Sequence, residues 1–264
     1  MLAPALWSDI IVRSSIEVII SDDSHEPLLS CIEVEQYALQ IARFQYIHNV
    51  RPLGAVRNWN YLVSLCHGEF YWICHHDEYM ADMNHALEYL LEHIRNNEAD
   101  IFIFPLFKSY RFDSIILLQC HTPLPCMLQW LLAHASSIIY ANPIGPPSSL
   151  ILRSSIPIAY DVNLKWYVDV EYYARLFAPG SHSMFILPYT CKLISDQNYE
   201  QSITRSLAPT LLQTKTIEAE YLANSCSLFN ARDLPPLTIL LIKAFLFALR
   251  SIRTRLIILK RSAG

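Results

Sequence analysis

The chain has 264 residues, which suits one sizeable domain with a hydrophobic core, alone or with a C-terminal extension. A formal net charge of −4 gives no reason to expect a nucleic-acid partner, and seven cysteines without a Cys-x-x-Cys pair argue for reduced thiols in the cytoplasm. Hydrophobic residues make up 53% of the chain, but the sequence lacks the uncharged run of about 20 residues that a membrane span needs.

Strands and helices are predicted to alternate over the first hundred residues. The predicted helices lie at 2–14, 30–43, 53–65 and 82–96, and the predicted strands at 17–20, 44–47, 69–74 and 100–104. Short connections between alternating strands and helices predict an α/β fold, with a mainly parallel sheet and helices on both sides.

The second half has a different pattern. A hairpin is predicted at 106–119, followed by a helix at 125–135, a Pro-rich loop that leads into a strand at 142–153, a helix after Trp166, a strand at 183–187 and a helix at 204–224. Residues 237–249 are largely apolar and precede a basic end, a pattern typical of an interfacial membrane helix. A C-terminal helix packed on the domain, with a solvated basic end, is the alternative.

The stretch from Gly68 to Glu78 combines an apolar run with a polar end. Residues 70–74 are rich in aromatic and β-branched side chains without alternation, which is typical of a strand buried on both faces. His75, His76, Asp77 and Glu78 follow directly. Ligands bind at the carboxyl ends of strands in α/β sheets, so this end is a candidate site. Taken alone, the stretch is equally consistent with a solvated polar loop that caps the next helix.

Three acidic sites occur in a set order along the chain. They are Asp22-Asp23 after the first predicted strand, Asp77-Glu78, and Asp169 at the start of a later helix. In this order they resemble the family 2 glycosyltransferases of the GT-A fold, over roughly residues 15–190. Further positions that match the family are Asn49, Gly54, Arg57, Asn58 and Asn60, Gly68-Glu69-Phe70, the loop 143–149, and the helix 166–176.

The resemblance implies a role for each site. Asp22 and Asp23 would contact the base and ribose of a nucleotide, and Asp169 would be the catalytic base. The metal that holds the diphosphate would be bound by Asp77, with His75 and Glu78 as further ligands. The other positions assigned to substrate binding are Asn49, Gly54, Asn58, His76 and Glu171.

Two features depart from the family pattern. Members open with an apolar strand that ends in Pro-x-Tyr/Phe-Asn, whereas this sequence starts at the helix that follows, so the resemblance implies a GT-A fold without its first strand. Two explanations of the missing strand stay open: a start codon placed too far downstream, and a truncated protein.

His75 stands where the family has the first Asp of Asp-x-Asp. Imidazole is a poorer ligand for a hard cation than carboxylate, so Mn²⁺ is expected over Mg²⁺.

The expected organisation is a GT-A domain at 1–200, with a nucleotide-binding half at 1–105 and an acceptor half at 106–200, and a helical extension at 201–264 that is a candidate for membrane association. The expected activity is inverting transfer of a sugar from a UDP-, dTDP- or GDP-linked donor to a glycan or lipid-linked acceptor, in surface polysaccharide or lipopolysaccharide assembly. The expected location is the cytoplasm or the inner membrane surface. The alternatives are a non-catalytic GT-A-derived assembly protein and, more weakly, a metal hydrolase with His67 among its ligands.

Overall fold

The computed structural model describes residues 15–75, 77–96, 98–112, 115–122, 138, 142–156, 159–177, 182–197, 208–225 and 254–258. The strands are β1 (Glu17–Asp22), β2 (Arg43–His48), β3 (Phe70–Trp72), β4 (Glu78–Met80), β5 (Ile101–Ile103), β6 (Leu106–Phe112), β7 (Ile115–Cys120), β8 (Leu150–Arg153), β9 (Met184–Ile186), β10 (Leu193–Asp196) and β11 (Thr254–Ile258). The helices are α1 (Cys31–Gln40), α2 (Ala55–Leu65), α3 (Met83–Arg95), α4 (Val168–Leu176) and α5 (Leu211–Ser225).

The α/β architecture is confirmed, but the sheets are mixed rather than mainly parallel. Strands β1 and β2 pair in parallel, a second sheet has the order β3-β8-β5-β9, and a third has the order β11-β7-β6-β10-β4. In the described part of the chain, three of the eight strand pairs are parallel. The prediction was wrong because β8 inserts antiparallel between β3 and β5, which the local alternation placed side by side.

The core lies on both faces of the four-stranded sheet. Residues Ile101, Phe102 and Ile103 of β5 are completely buried. The two isoleucines pack with Tyr172 and Tyr173 of α4, whereas Phe102 packs in a second cluster with the apolar face of α3. Successive side chains of a strand point to opposite faces, so a strand covered on both sides needs the unbroken apolar run seen in the sequence.

Local capping explains where two of the helices begin. Ser30 precedes α1, and its hydroxyl accepts from the Glu33 N–H while the Glu33 carboxylate accepts from the Ser30 N–H. Asp82 precedes α3, and its side chain accepts from the His85 N–H. Both contacts satisfy backbone donors that have no partner inside the first turn.

The C-terminal segment differs from the predicted extension. Helix α5 is present, and its Leu222 lies in the core cluster that contains α4. Residues 254–258, expected within a helical extension, instead form β11, which pairs antiparallel with β7. The sequence Thr-Arg-Leu-Ile-Ile has high β propensity, and the edge of β7 provides backbone partners for it.

Three predicted segments lie outside the described residues: the helices at 2–14 and 125–135 and the apolar stretch at 237–249. Among the helices that the structure does describe, none has the length and apolarity needed to cross a membrane.

Candidate active site

Asp22 shapes the turn after β1. Its carboxylate is 4% exposed and accepts hydrogen bonds from the Leu28 N–H at 2.7 Å, the Ser24 N–H at 3.0 Å and the Tyr46 hydroxyl. Burial raises the pKa of Asp22, but hydrogen bonds led by the one from Leu28 lower it to about 2 overall. Asp22 is therefore a charged group whose acceptors are already used in holding residues 22–28 together.

Asp23 joins this turn to the start of α2. Its two oxygens accept from the backbone N–H groups of Leu53, at 2.7 Å, and Gly54, at 2.8 Å. The side chain of Asn49 also donates to Asp23, at 3.0 Å, and to Asn58, at 3.1 Å. Gly54 has φ = 80°, a conformation that glycine adopts without strain. The structure thus brings together all five upstream residues assigned to substrate binding.

Of the proposed metal ligands, His75 and Asp77 lie between β3 and β4, and Glu78 is the first residue of β4. Each offers one ligand atom, and these atoms all lie within 4.8 Å of one another. His75 Nδ1 is 3.4 Å from Glu78 Oε2, and its ring stacks on Trp59 of α2 at a centroid distance of 5.0 Å. His67 does not join them, because its Nδ1 contacts Glu17 at 3.2 Å.

The electrostatics of these three residues fit a cation. The Glu78 side chain is only 4% exposed. Burial raises the pKa of Glu78 to about 8, with the hydrogen bond from Ser148 opposing the rise and the charge of Asp77 adding to it. A divalent cation would offset this crowding of carboxylates, and oxygen ligands with one imidazole nitrogen suit Mn²⁺.

The segment 142–149, which we call the bridging loop, connects the metal ligands to the predicted base. At one end the Ser148 hydroxyl donates to Glu78, and the Ser148 carbonyl accepts from Trp72 Nε1 at 2.7 Å. At the other end Asn142 Nδ2 donates to Asp169 Oδ2 at 2.7 Å. One eight-residue segment therefore contacts both halves of the site.

Asp169 lies in the first turn of α4. Its Oδ1 accepts from the Val170 N–H at 2.9 Å, and the side chain is half-buried. Burial raises the pKa of Asp169 to about 6, and the hydrogen bonds from Val170 and Asn142 limit the rise. A carboxylate with this pKa is charged at neutral pH and can accept a proton there.

Replacing Gly145 with alanine is expected to destabilise the fold by about 2–4 kcal/mol. Gly145 has φ = 107°, and an added Cβ would lie 2.3 Å from Leu106 Cδ2. Either the bridging loop or the Leu106 side chain, which is completely buried, would have to move to relieve the overlap. Urea denaturation checks the prediction, with Gly54→Ala as a comparison that shares the positive φ but places its Cβ more than 4 Å from any atom. Equal unfolding midpoints for the G145A and wild-type proteins would contradict it.

Two predicted site residues lie elsewhere or outside the described part. His76 is not among the described residues. Glu171 is buried and forms an ion pair with Arg175, whose Nη2 lies 2.7 Å from Glu171 Oε2. This pair supports α4 at the expected i,i+4 spacing. The substrate-binding role of Glu171 stays a prediction.

Glu218, on α5, supports the site although it belongs to none of the sequence motifs. Its carboxylate is 5% exposed and accepts from the backbone N–H groups of Lys165, Trp166 and Tyr167, at 2.7, 3.0 and 2.9 Å. These donors immediately precede α4, where a negative charge is favoured by the helix dipole. Glu218, 49 positions downstream of Asp169, thus holds the segment that leads into the helix carrying Asp169.

Asn142 and Ser148 lie in the predicted Pro-rich segment 142–153, which carries no assigned role for either residue. Asn directly before a Pro-Gly loop is a turn signal, since its side chain can accept from backbone N–H groups two or three residues on. That signal identifies the turn but not the contact with Asp169.

Comparison with known proteins identifies a family pattern in the first part of the chain. Residues 6–118 match the family model described as Glycosyl transferase family 2. Among curated proteins, none matches the sequence.

Solved structures of Staphylococcus aureus TarS 1-349 have a similar fold. The complex with UDP-GlcNAc is 15% identical, with a TM-score of 0.56 over 94% of this chain and 66% of that one. Another structure of TarS 1-349 is 15% identical, with a TM-score of 0.54 over 90% of this chain and 63% of that one. The complex with UDP is 16% identical, with a TM-score of 0.53 over 94% and 65%. This chain therefore spans slightly less than two thirds of the TarS chains.

The TM-scores above 0.5 show a shared fold, and the family match shows the sequence pattern of residues 6–118. The resemblance drawn from the three acidic sites is confirmed: residues 6–118 carry the family 2 glycosyltransferase pattern, on the GT-A fold.

Proposed function

We propose that the protein transfers a sugar from a nucleoside-diphosphate sugar to a hydroxyl acceptor, with inversion at the anomeric carbon. The observation that carries the proposal is the bridging loop, which contacts Glu78 through Ser148 and Asp169 through Asn142. Donor-side ligands and a carboxylate base are thereby tied to one segment, as transfer between two bound substrates requires.

The donor nucleotide is assigned to the Asp23 side of the site. Asp23, Asn49 and Asn58 form one hydrogen-bonded group at the carboxyl ends of β1 and β2. Ligands of open α/β sheets bind at such strand ends. That TarS has been solved with UDP and with UDP-GlcNAc supports a nucleotide sugar as the donor class.

A divalent cation, Mn²⁺ or Mg²⁺, would be held by Asp77 with Glu78 and His75. When bound, it would offset the charge that develops on the departing diphosphate. The chain positions these ligands through the stacking of His75 on Trp59 and a hydrogen bond from the Asp196 N–H to the Asp77 carbonyl, at 2.9 Å.

Asp169 is the proposed general base. As the acceptor hydroxyl attacks the anomeric carbon, the proton passes to an Asp169 oxygen and the bond to the diphosphate breaks. A single base that delivers the nucleophile opposite the leaving group gives inversion. General-base assistance contributes about 10²–10⁴-fold to the rate.

The acceptor is proposed to be lipid-linked, as in surface polysaccharide or lipopolysaccharide assembly at the cytoplasmic face of the membrane. The support comes from the sequence: the apolar residues 237–249 are followed by five basic residues, a composition suited to an anionic membrane surface. Recovery of the full chain wholly in the soluble cell fraction would count against this acceptor class.

The test is titration of the protein with UDP-, GDP- and dTDP-sugars, with and without Mn²⁺. We expect at least one donor to bind in a metal-dependent way and to be slowly hydrolysed without acceptor.

Asp77→Asn should weaken metal-dependent binding at least about 10-fold. The control Glu88→Gln, which makes a carboxylate-to-amide change on the exposed face of α3, should bind as wild type does. The anomeric coupling constant of the transfer product reports inversion. A protein that neither binds nor hydrolyses any donor would instead be the non-catalytic alternative.

A further inference from the structure

The side-chain amide of Asn142 is held at both ends. Its Oδ1 accepts from the backbone N–H groups of Ile144, at 3.0 Å, and Gly145, at 2.8 Å. Its Nδ2 donates to the Gly145 carbonyl at 2.8 Å and to Asp169 Oδ2 at 2.7 Å. Because a backbone N–H can only donate, the amide oxygen must face the loop, and the NH₂ group must face Asp169.

We propose that Asn142 is a positioning residue for Asp169, fixing the orientation of its carboxylate and supplying the donor that keeps it charged. The consequence for sugar transfer rests on the proposed function. Orientation and charge are properties of the pair itself and can be measured without turnover.

The two hydrogen bonds to Asp169 prevent its carboxylate from turning freely. Oδ1 accepts from the Val170 N–H at 2.9 Å, and Oδ2 accepts from Asn142. Rotation of the Asp169 carboxylate about χ2 would break one or both hydrogen bonds. The side chain is half-buried, so water would replace the lost hydrogen bond only in part, and the rotation is unfavourable. Each oxygen keeps one lone pair, so the carboxylate can still accept a proton from a substrate hydroxyl.

Asn142 is itself anchored to the third sheet. Its carbonyl accepts from Nε2 of His121, directly after β7, at 2.9 Å, and His121 is buried. The bridging loop also accepts from the Tyr173 hydroxyl at the Gly145 carbonyl, at 3.0 Å. The donor to Asp169 is thus fixed from a strand end and from α4 at the same time.

Other ionisable groups also act on Asp169. Lys108 of β6 provides a nearby positive charge, and the phenols of Tyr160 and Tyr173 lie close enough to interact with it. All three are unchanged in the variants below, so a shift in the titration of Asp169 reports the change at position 142.

Asn142→Asp is the sharpest test, because it keeps an oxygen for the Ile144 and Gly145 N–H groups and replaces the NH₂ group that donates to Asp169 and to the Gly145 carbonyl. Two carboxylates at hydrogen-bond distance cannot both ionise easily, so the pair should titrate as a unit with its upper pKa raised by about one unit or more. The acidic limb of the rate–pH profile should move upward by the same amount, and a one-unit shift lowers the rate about 5-fold at pH 6 and about 10-fold well below pH 6. The rate should recover at alkaline pH.

The titration is read from ¹³C carboxyl shifts, assigned with Asp169→Asn, so the measurement needs no activity. The matched control is Asn163→Asp, since Asn163 Nδ2 donates to the Asp161 carboxylate at 2.9 Å on an exposed loop. It should leave the Asp169 titration and the transfer rate unchanged. Asn142→Ala, which removes the donor without adding charge, should also raise the pKa of Asp169 and supplies the answer if Asn142→Asp does not fold.

A purely structural role for Asn142 predicts a different outcome. Asn142→Asp would then lower the melting temperature at most, and would shift the Asp169 titration no more than the control does; that result overturns the proposal. If wild-type protein transfers no sugar, the proposed function fails, while the carboxyl titration still decides the role of Asn142.

Discussion

Replacing Asp169 with asparagine is expected to lower the rate of sugar transfer by about 10²–10⁴-fold. Asparagine has nearly the same shape and can still accept from the Val170 N–H, but its amide cannot take the proton of the acceptor hydroxyl. Donor binding should be unchanged, because the nucleotide is assigned to the Asp23 side of the site. Transfer rates under saturating donor and acceptor, with donor affinity measured by calorimetry, check both parts.

The pH dependence of the wild-type rate belongs to the same prediction. Burial raises the pKa of Asp169 to about 6, and a general base acts in its deprotonated form. The rate should therefore fall as the pH decreases through about 6, and Asp169→Asn should lose this limb. Glu88→Gln, an exposed change of the same kind, should keep both the rate and the limb. A D169N protein with wild-type turnover would assign the base to another residue.

Replacing Glu218 with alanine is expected to lower the free energy of unfolding by about 2–4 kcal/mol. The reason is that the buried carboxylate accepts from three consecutive backbone N–H groups just before α4, and alanine would leave those donors without it. Lys165, Trp166 and Tyr167 would then rearrange, and the first turn of α4, which carries Asp169, would lose a fixed start. The transfer rate should fall together with stability.

Glu220→Ala is the matched control, because it lies on the same helix two residues away and is exposed. Its unfolding midpoint in urea should stay near the wild-type value. Glu218→Gln keeps one acceptor oxygen and should recover part of the stability and the rate. If Glu218→Ala and Glu220→Ala unfold at the same urea concentration, the carboxylate does not hold the start of α4.

Local patterns in the sequence determined the elements that carry the site. The unbroken apolar run at residues 70–74 predicted a strand covered on both faces, and β3 occupies residues 70–72 of it. The strand predicted at 100–104 is found at 101–103. The order of the acidic sites predicted the family pattern that residues 6–118 match. These features could be read because strand burial and helix capping depend on residues close together in the chain.

The tertiary structure alone decided how those elements combine. Strand β8 separates β3 from β5 although it comes 47 residues after the end of β5 in the sequence. The contacts Ser148–Glu78 and Asn142–Asp169 join residues 70 and 27 positions apart, and Glu218 lies 51 positions from Tyr167. No periodicity or spacing rule reaches across such distances, because the hydrogen bonds form only after packing of the sheets and α4 brings the chain segments together. The sequence therefore identified the acidic groups, and the packed fold determined which donors hold them.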